Sequence, residues 1–400
     1  MNYKEQALNE LQAIADQIIE ISRAIHQQPE LGNQEFFAVQ LITGCLEKYG
    51  FTITRELASL PTAFAAEYQG KRGGPKIAFL AEYDALPELG HACGHNLIGA
   101  ASLGAGLVVS RLLSDIAGTV LVIGTPAEET NGAKVTLVEA GVFNEIDAAL
   151  MFHPGDCNAV EVSSLALDAL EFTFKGKAAH ASICSQGGVN ALEAVLLLFG
   201  GVNALRQYLG DEVLIHGIIA EGGIRANIIP ERAVARFYIR ARQLDQLERA
   251  VARVKDCARG AATMTGTTVE WRNYEFSYKG MISNPTLVSL FKKNLRDLGV
   301  KDLVGPRETL GSLDMGNVSQ VTPSLHPYLL LKPRLIPHTQ EFVEAAGSKA
   351  GEQVLLLAVK ALAWTAIDLL LNQQLVEKAR RELERKLAAQ SQVEWGAASS

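Results

Sequence analysis

Leu8, Leu11, Ile14, Ile18, Ile21 and Ile25 recur at spacings of three and four, which marks one apolar helix face. Helical periodicity of this kind runs through residues 4–49. The pattern then changes. The run 76-KIAFLAEY-83 predicts a buried strand, and helical spacing returns from Leu97 to Leu113. Two more strands are predicted at 118-GTVLVIGTPAEE-129 and 147-DAALMFHPGD-156, each an apolar run that ends in polar residues. Strands alternating with helices predict an α/β fold with a mostly parallel sheet. The polar residues of chemical interest stand just past the carboxyl ends of these strands, where open α/β sheets place ligands.

Near residue 165 the rhythm shifts. Patterning predicts a strand at 167–176, a helix at 189–209, strands at 213–223 and 231–241, a helix at 243–266 and a strand at 267–276. The order β-α-β-β-α-β is that of a ferredoxin-like α+β unit, and about 110 residues suffice for an independent domain. Helix-strand alternation resumes from residue 285. The expectation is therefore a discontinuous first domain, 1–165 with 282–400, and an inserted domain at 166–281. Residues 374–390 predict a charged helix, and 391–400 are expected to be disordered. The longest apolar stretch, 354–371, is broken by Lys360 and Asp368, so it reads as a half-buried helix and no membrane span is expected.

Composition narrows the function. The 400 residues carry a net charge of -7 and show no Lys/Arg cluster with interleaved aromatics, which argues against nucleic acid as a partner. The N-terminal MNYKEQALNE lacks the apolar stretch of a secretory signal. Cysteines at 45, 93, 157, 184 and 257 are odd in number and unpaired in spacing. A disulfide framework is not expected, and the chain reads as cytoplasmic. Cys45, Cys157, Cys184 and Cys257 read as small apolar filler.

Cys93 is different. The stretch 91-HACGH-95 puts it between two histidines on a glycine-containing turn. It could be a nucleophile, half of a disulfide, a buried filler or a metal ligand. Cys93 and His95 can converge on one point, and thiolate with imidazole is a zinc-type pair. Alone, Cys-x-His also fits a core thiol beside a surface histidine. Glu128 and Glu129 are adjacent carboxylates at a strand end; the bland reading is two solvated side chains. On an extended chain they point different ways, so one can ligate while the other faces a water. His153 in 151-MFHPGD-156, His338 in 335-LIPHTQEF-342 and, in weaker context, His326 in 324-SLHPYLLL-331 complete the candidates. Each alone fits a structural histidine. Together Cys93, His95, Glu129, His153 and His338 exceed what one structural zinc needs. They suit two metals sharing a water, with Glu128 as the general base.

The motifs DALPELGHACGHN (84–96), GTPAEE (124–129), FHPG (152–155), GKAAHAS (176–182), NIIPE (227–231), GSLDMGN (311–317) and PHTQEF (337–342) run in order along nearly the whole chain. On these the chain resembles metallopeptidase family twenty, the aminoacylase and carboxypeptidase superfamily. It is most similar to the amidohydrolase branch of p-aminobenzoyl-glutamate hydrolase, auxin-conjugate hydrolases and β-alanyl-lysine-type dipeptidases. The resemblance implies that Cys93 bridges two divalent ions, zinc or manganese. His95 and His153 would hold one ion, and Glu129 and His338 the other. It implies Glu128 as catalytic base and the inserted domain as a lid that also dimerises the chain. His180 would be a lid histidine that stabilises the oxyanion in a neighbouring subunit. Asn227 and Arg240 would meet the substrate, Arg240 as a carboxylate holder or else as a solvated strand residue; His326 joins them. Asn96 stands where many relatives of this branch carry Asp, so other groups must orient the ligands there. Asp84 is expected in a supporting place, and His91 ranks below His95.

The implied activity is metal-dependent hydrolysis of the amide bond in a small N-acyl amino acid or unusual dipeptide. Two rivals are a cysteine hydrolase with Cys93 as nucleophile and a non-enzymatic metal- or ligand-binding relative. A dinucleotide site is excluded, because 104-GAGLVV-109 lies inside a helix and has Val109 where a third glycine should stand.

Overall fold

The structure, a computed structural model, describes residues 2–183, 185–210, 212–309 and 311–396, the last six by backbone alone. Cys184, expected as filler, lies outside the described residues. Two compact units emerge. One comprises Met1–Ser163 with Met281–Ala389, and the other is built on Ser164–Gly280.

The first unit centres on a six-stranded sheet. Its middle strand, Lys71–Ala81, runs parallel to Ala117–Gly124 on one side and Ala148–Leu150 on the other, with Ser324–Leu325 parallel beyond. Phe64–Gln69 and Thr52–Arg55 continue the opposite edge as antiparallel strands. Ile77 through Ala81 are fully buried, as expected for a parallel strand covered on both faces. The covering helix His95–Leu112 is buried along its length except at Arg111. It packs against Tyr3–Gln27 and Lys349–Leu371. Lys349–Leu371 is the one described helix long and apolar enough to cross a membrane, and 72% of its apolar window is buried inside the fold.

The helical periodicity over 4–49 is borne out, and two other expectations are corrected. The periodic stretch 4–49 is two helices, Tyr3–Gln27 and Phe36–Lys48. Pro29 disfavours the helical conformation at Gln28, which leaves it with φ -124° and ψ 73°, and the first helix ends there. The strand expected over 147–156 is split into Ala148–Leu150 in the large sheet and His153–Gly155 in a small sheet with Tyr328–Leu330. Pro154 has no N–H for a continuous central ladder. The tail expected to be disordered over 391–400 is helical as far as Gly396, because the charged helix Gln373–Gly396 continues through it; residues 397–400 lie outside the described residues.

The second unit carries a four-stranded antiparallel sheet in the order Val213–Glu221, Arg232–Ala241, Ala166–Lys175, Thr268–Asn273. Helices Ala191–Arg206 and Leu244–Thr265 bury Ala194, Leu198, Val202, Val254 and Ala258 against Phe172, Phe174 and Phe237. This is the ferredoxin-like arrangement. Its edge strand Val213–Glu221 leaves Ile218 and Ile219 exposed, and the Ala191–Arg206 helix leaves Leu196 and Leu197 exposed.

Candidate active site

Past Ala81 the chain leaves the sheet and carries Glu82, Asp84 and Cys93 in a loop, before His95 opens a helix. Gly94 makes this possible. Its φ is +75°, and a Cβ there would stand 2.7 Å from Pro154 Cγ. Only glycine combines that backbone with so close an approach. The turn thus brings Cys93 and His95 against the strand that bears His153. On the other side of the middle strand, Ala117–Gly124 runs out into Glu128 and Glu129. His338 sits in a loop with φ +61°, anchored where its N–H donates to the Ala92 carbonyl at 3.1 Å.

These side chains converge. Cys93, His95 and His153 offer donor atoms within 4.8 Å of one another, as do Cys93, Glu129 and His338, and as do His95, Glu128 and Glu129. Cys93 is common to the first two groups. Asp84 joins the halves: its Oδ1 lies 2.9 Å from His95 Nδ1, and its Oδ2 accepts from the Glu129 N–H at 3.0 Å. Holding Nδ1 leaves His95 Nε2 facing the cluster, the arrangement that supporting carboxylates give to ligating histidines. His153 Nδ1 is likewise engaged, 2.7 Å from the Pro154 carbonyl.

Among the described residues, three buried atoms here have no hydrogen-bond partner: His95 Nε2, Glu129 Oε1 and Glu82 Oε2. Unpaired buried polar atoms are costly, and His95 Nε2 and Glu129 Oε1 belong to side chains whose donor groups could hold a cation. Thiol, imidazole and carboxylate donors are also the set that binds divalent zinc-type ions. The residues fit a metal centre.

The charges behave accordingly. Burial pushes the Glu128 carboxyl well above its usual range, and Glu129, Glu82 and Asp314 add to the rise. Burial would raise Glu129 as well, but the His338 hydrogen bond and the charge of His95 bring it down to about 2. His338 Nε2 lies 3.4 Å from Glu129 Oε2. Burial and the neighbouring Glu129 hold the Cys93 thiol well above its ordinary value. That is opposite to the electropositive surroundings that activate a nucleophilic cysteine.

Other candidates fall elsewhere. His326 is buried and stands with its ring 5.8 Å from that of His153 and 5.6 Å from that of Tyr328. His91 Nε2 lies 3.1 Å from the Ile25 carbonyl oxygen, and its ring stacks on His26. Asn96 reaches back to Ser22 Oγ at 3.1 Å, so Asp84 rather than position 96 orients His95. In the second unit, His180 is exposed on the short strand Ala179–His180, which pairs with Ile228–Ile229. The Ala181 N–H donates to the Asn227 carbonyl at 3.0 Å, which puts Asn227 beside His180. Arg240 lies over the Tyr238 ring at 5.6 Å.

Sequence reasoning missed two features. Lys134 is completely buried and bridges Glu82 Oε1 at 2.6 Å and Asp314 Oδ1 at 2.8 Å. Glu82 Oε2 then stands 3.6 Å from His95 Nε2. Glu82 was findable, since it precedes Asp84 by two and period-2 spacing shares a face. Lys134 left no such trace. The second feature is Glu35, whose buried carboxylate accepts the N–H of Ala127, the residue before Glu128.

The profile of peptidase family M20/M25/M40 matches residues 78–361. The chain belongs to peptidase family M20/M25/M40. It is a hydrolase that cleaves amide or peptide bonds in a metal-dependent reaction. Among its relatives, a Xaa-Arg dipeptidase of Mus musculus is 38% identical over 96% of this chain and 93% of its own length. A p-aminobenzoyl-glutamate hydrolase chain of Escherichia coli is 34% identical over 73% of this chain and 64% of its own. The fold matches a putative aminohydrolase from Staphylococcus aureus with a TM-score of 0.78 and 20% identity, covering 92% of this chain and 100% of that one. It also matches a dinuclear metal binding peptidase of Bacillus subtilis with a TM-score of 0.65 and 22% identity, covering 87% and 98%.

Proposed function

We propose that this M20 enzyme is a dipeptidase that releases a basic C-terminal amino acid, using two divalent ions, zinc or manganese. The observation that carries the two-ion reading is the pair of donor groups that share Cys93. Cys93, His95 and His153 would hold one ion, and Cys93, Glu129 and His338 the other. Bound ions supply a polarised carbonyl and a more acidic water. Glu128 does the proton work. Half-buried and surrounded by carboxylates, it takes the proton of the attacking water and returns it to the leaving amine. Asp84 fixes the His95 ring, and the Lys134 clamp holds Glu82 beside it. His180 would act as oxyanion donor in a neighbouring subunit, and Asn227, Arg240 and His326 would meet the substrate, Arg240 as a carboxylate holder. The exposed apolar edge strand Val213–Glu221 supports dimerisation through the lid, since an uncovered edge of this kind invites pairing. A thiol donor must stay reduced, which suits the cytoplasm.

The substrate class rests on the likeness to the Xaa-Arg dipeptidase, which covers nearly the whole chain. The test is amine release from dipeptides ending in Arg or Lys, N-acyl amino acids and p-aminobenzoyl-glutamate, with metal analysis of the same protein. Two ions per chain and preference for the basic dipeptides are expected. Preference for p-aminobenzoyl-glutamate, or one ion per chain, contradicts the proposal.

A further inference from the structure

We infer that Glu35 is a positioning residue for the catalytic carboxylates: with the segment 30–35 it clamps the backbone turn that aims Glu128 and Glu129. This rests on the reading of Glu128 as base and Glu129 as metal donor.

The chain frees Glu35 for this role in a specific way. It occupies the N-cap position of the Phe36–Lys48 helix yet makes no capping bond there. Glu30 takes over instead, accepting the N–H groups of Phe37 and Ala38 at 3.0 Å each. The Glu35 side chain turns inward and is fully buried. Its Oε1 accepts the Ala127 N–H at 2.8 Å, and its Oε2 accepts the Thr62 hydroxyl at 2.7 Å. Thr62 is itself pinned, because its carbonyl accepts the Tyr83 hydroxyl at 2.5 Å.

Ala127 is the residue immediately before Glu128, and its φ is +58°. A non-glycine residue in the left-handed region persists only where its surroundings fix it. The Ala127 carbonyl accepts from Gly132 at 2.9 Å and Asn131 at 3.2 Å, closing a tight turn. The carboxylate therefore holds the one N–H that sets the direction in which Glu128 and Glu129 leave the sheet. The neighbouring residues press on the same turn. A Cβ at Gly32 would stand 2.8 Å from Ala127 Cβ and 2.3 Å from Thr130 Oγ1. The Asn33 amide donates to Asn131 Oδ1 at 3.2 Å. No chemistry is assigned to Glu35 itself; it acts through Ala127.

The test compares Glu35→Ala, Glu35→Gln, Gly32→Ala and the double variant Glu35→Ala/Ala127→Gly. Each is measured for kcat and KM on a dipeptide ending in Arg, for zinc affinity by chelator competition, and for melting. Misplacing a catalytic group by about 1 Å costs roughly a hundredfold. Glu35→Ala and Gly32→Ala are therefore expected to lose about that much kcat with little change in KM, and Glu35→Ala to bind zinc more weakly because Glu129 is loosened. Glu35→Gln, which can still accept the Ala127 N–H, should keep most of the activity. The double variant should regain roughly tenfold, because glycine holds positive φ without help. A merely structural role would give losses that follow melting temperature and no rescue by Ala127→Gly, and that outcome overturns the inference, as does wild-type kcat in both Glu35→Ala and Gly32→Ala. Glu128→Gln serves as the control: full turnover there would overturn the assignment of the base, while the zinc arm still judges the clamp through Glu129.

Discussion

Strand Ala166–Lys175 of the second unit pairs without a break with Arg232–Ala241, every register position filled. The stretch from Glu82 to His95 in the first unit is built the other way. It has only the isolated bridge between Leu86 and Gly90, left-handed residues at Glu88, Gly90 and Gly94, and buried atoms with no partner. In the first region side-chain alternation dictates the backbone. In the second, the backbone is bent to place donors, and packing around it has to hold the shape. Stability and chemistry are thereby separated in the molecule, and substitutions should separate them too.

The largest effect is expected at the donor cluster that this irregular region forms with Glu128 and Glu129. Glu128→Gln should lower kcat by about a hundredfold to ten-thousandfold, the range of general acid–base contributions, while metal content and melting stay as in the wild type. Steady-state kinetics beside metal analysis checks this. In the regular region the reverse is expected. Phe172 is fully buried in the core of the second unit, and Phe172→Ala should cost about 3–5 kcal/mol in urea unfolding without changing the metal bound per folded chain.

Glu35 lies between these extremes. Burial raises its carboxyl from 4.5 to about 7, against the lowering effect of the Thr62 hydrogen bond. The unfolded chain releases this proton near 4.5, and the folded chain keeps it until about 7. The folded state binds the extra proton in that window, so its contribution to stability is full below 4.5 and falls as pH rises toward 7, by about 3 kcal/mol. Glu35→Gln has no proton to lose. The stability difference between it and the wild type should shift in the variant's favour over the same window, read by chemical denaturation at several pH values. The smallest effect belongs to the exposed pair Lys175–Glu270 of the regular sheet, 2.7 Å apart. Lys175→Met should change stability by less than about 0.5 kcal/mol.

The same contrast explains what could be read in advance. The α/β class and the ferredoxin-like inserted unit follow from apolar spacing, which is why the predicted strand 167–176 and the observed Ala166–Lys175 nearly coincide. The hairpin Thr52–Arg55 with Phe64–Gln69 escaped because the edge strand Thr52–Arg55 is only four residues long and mostly exposed, too short to show an alternation. The side chains drawn together at the site could be named from HACGH, PAEE and the lone histidines, since donor chemistry is written in residue type. Glu35 and Lys134 could not. Each acts over a long sequence separation on a group that only the folded chain brings near, and a glutamate at a helix start or a lysine near a turn reads locally as surface.

If Cys93 is a metal donor shared between two donor groups and not an attacking thiol, its sulfur should mark the spectrum of a bound metal. The most direct measurement is the absorption spectrum of the cobalt-loaded protein compared with Cys93→Ser. A thiolate-to-cobalt charge-transfer band in the wild type that disappears in Cys93→Ser is the result predicted. A spectrum unchanged by Cys93→Ser would contradict the account.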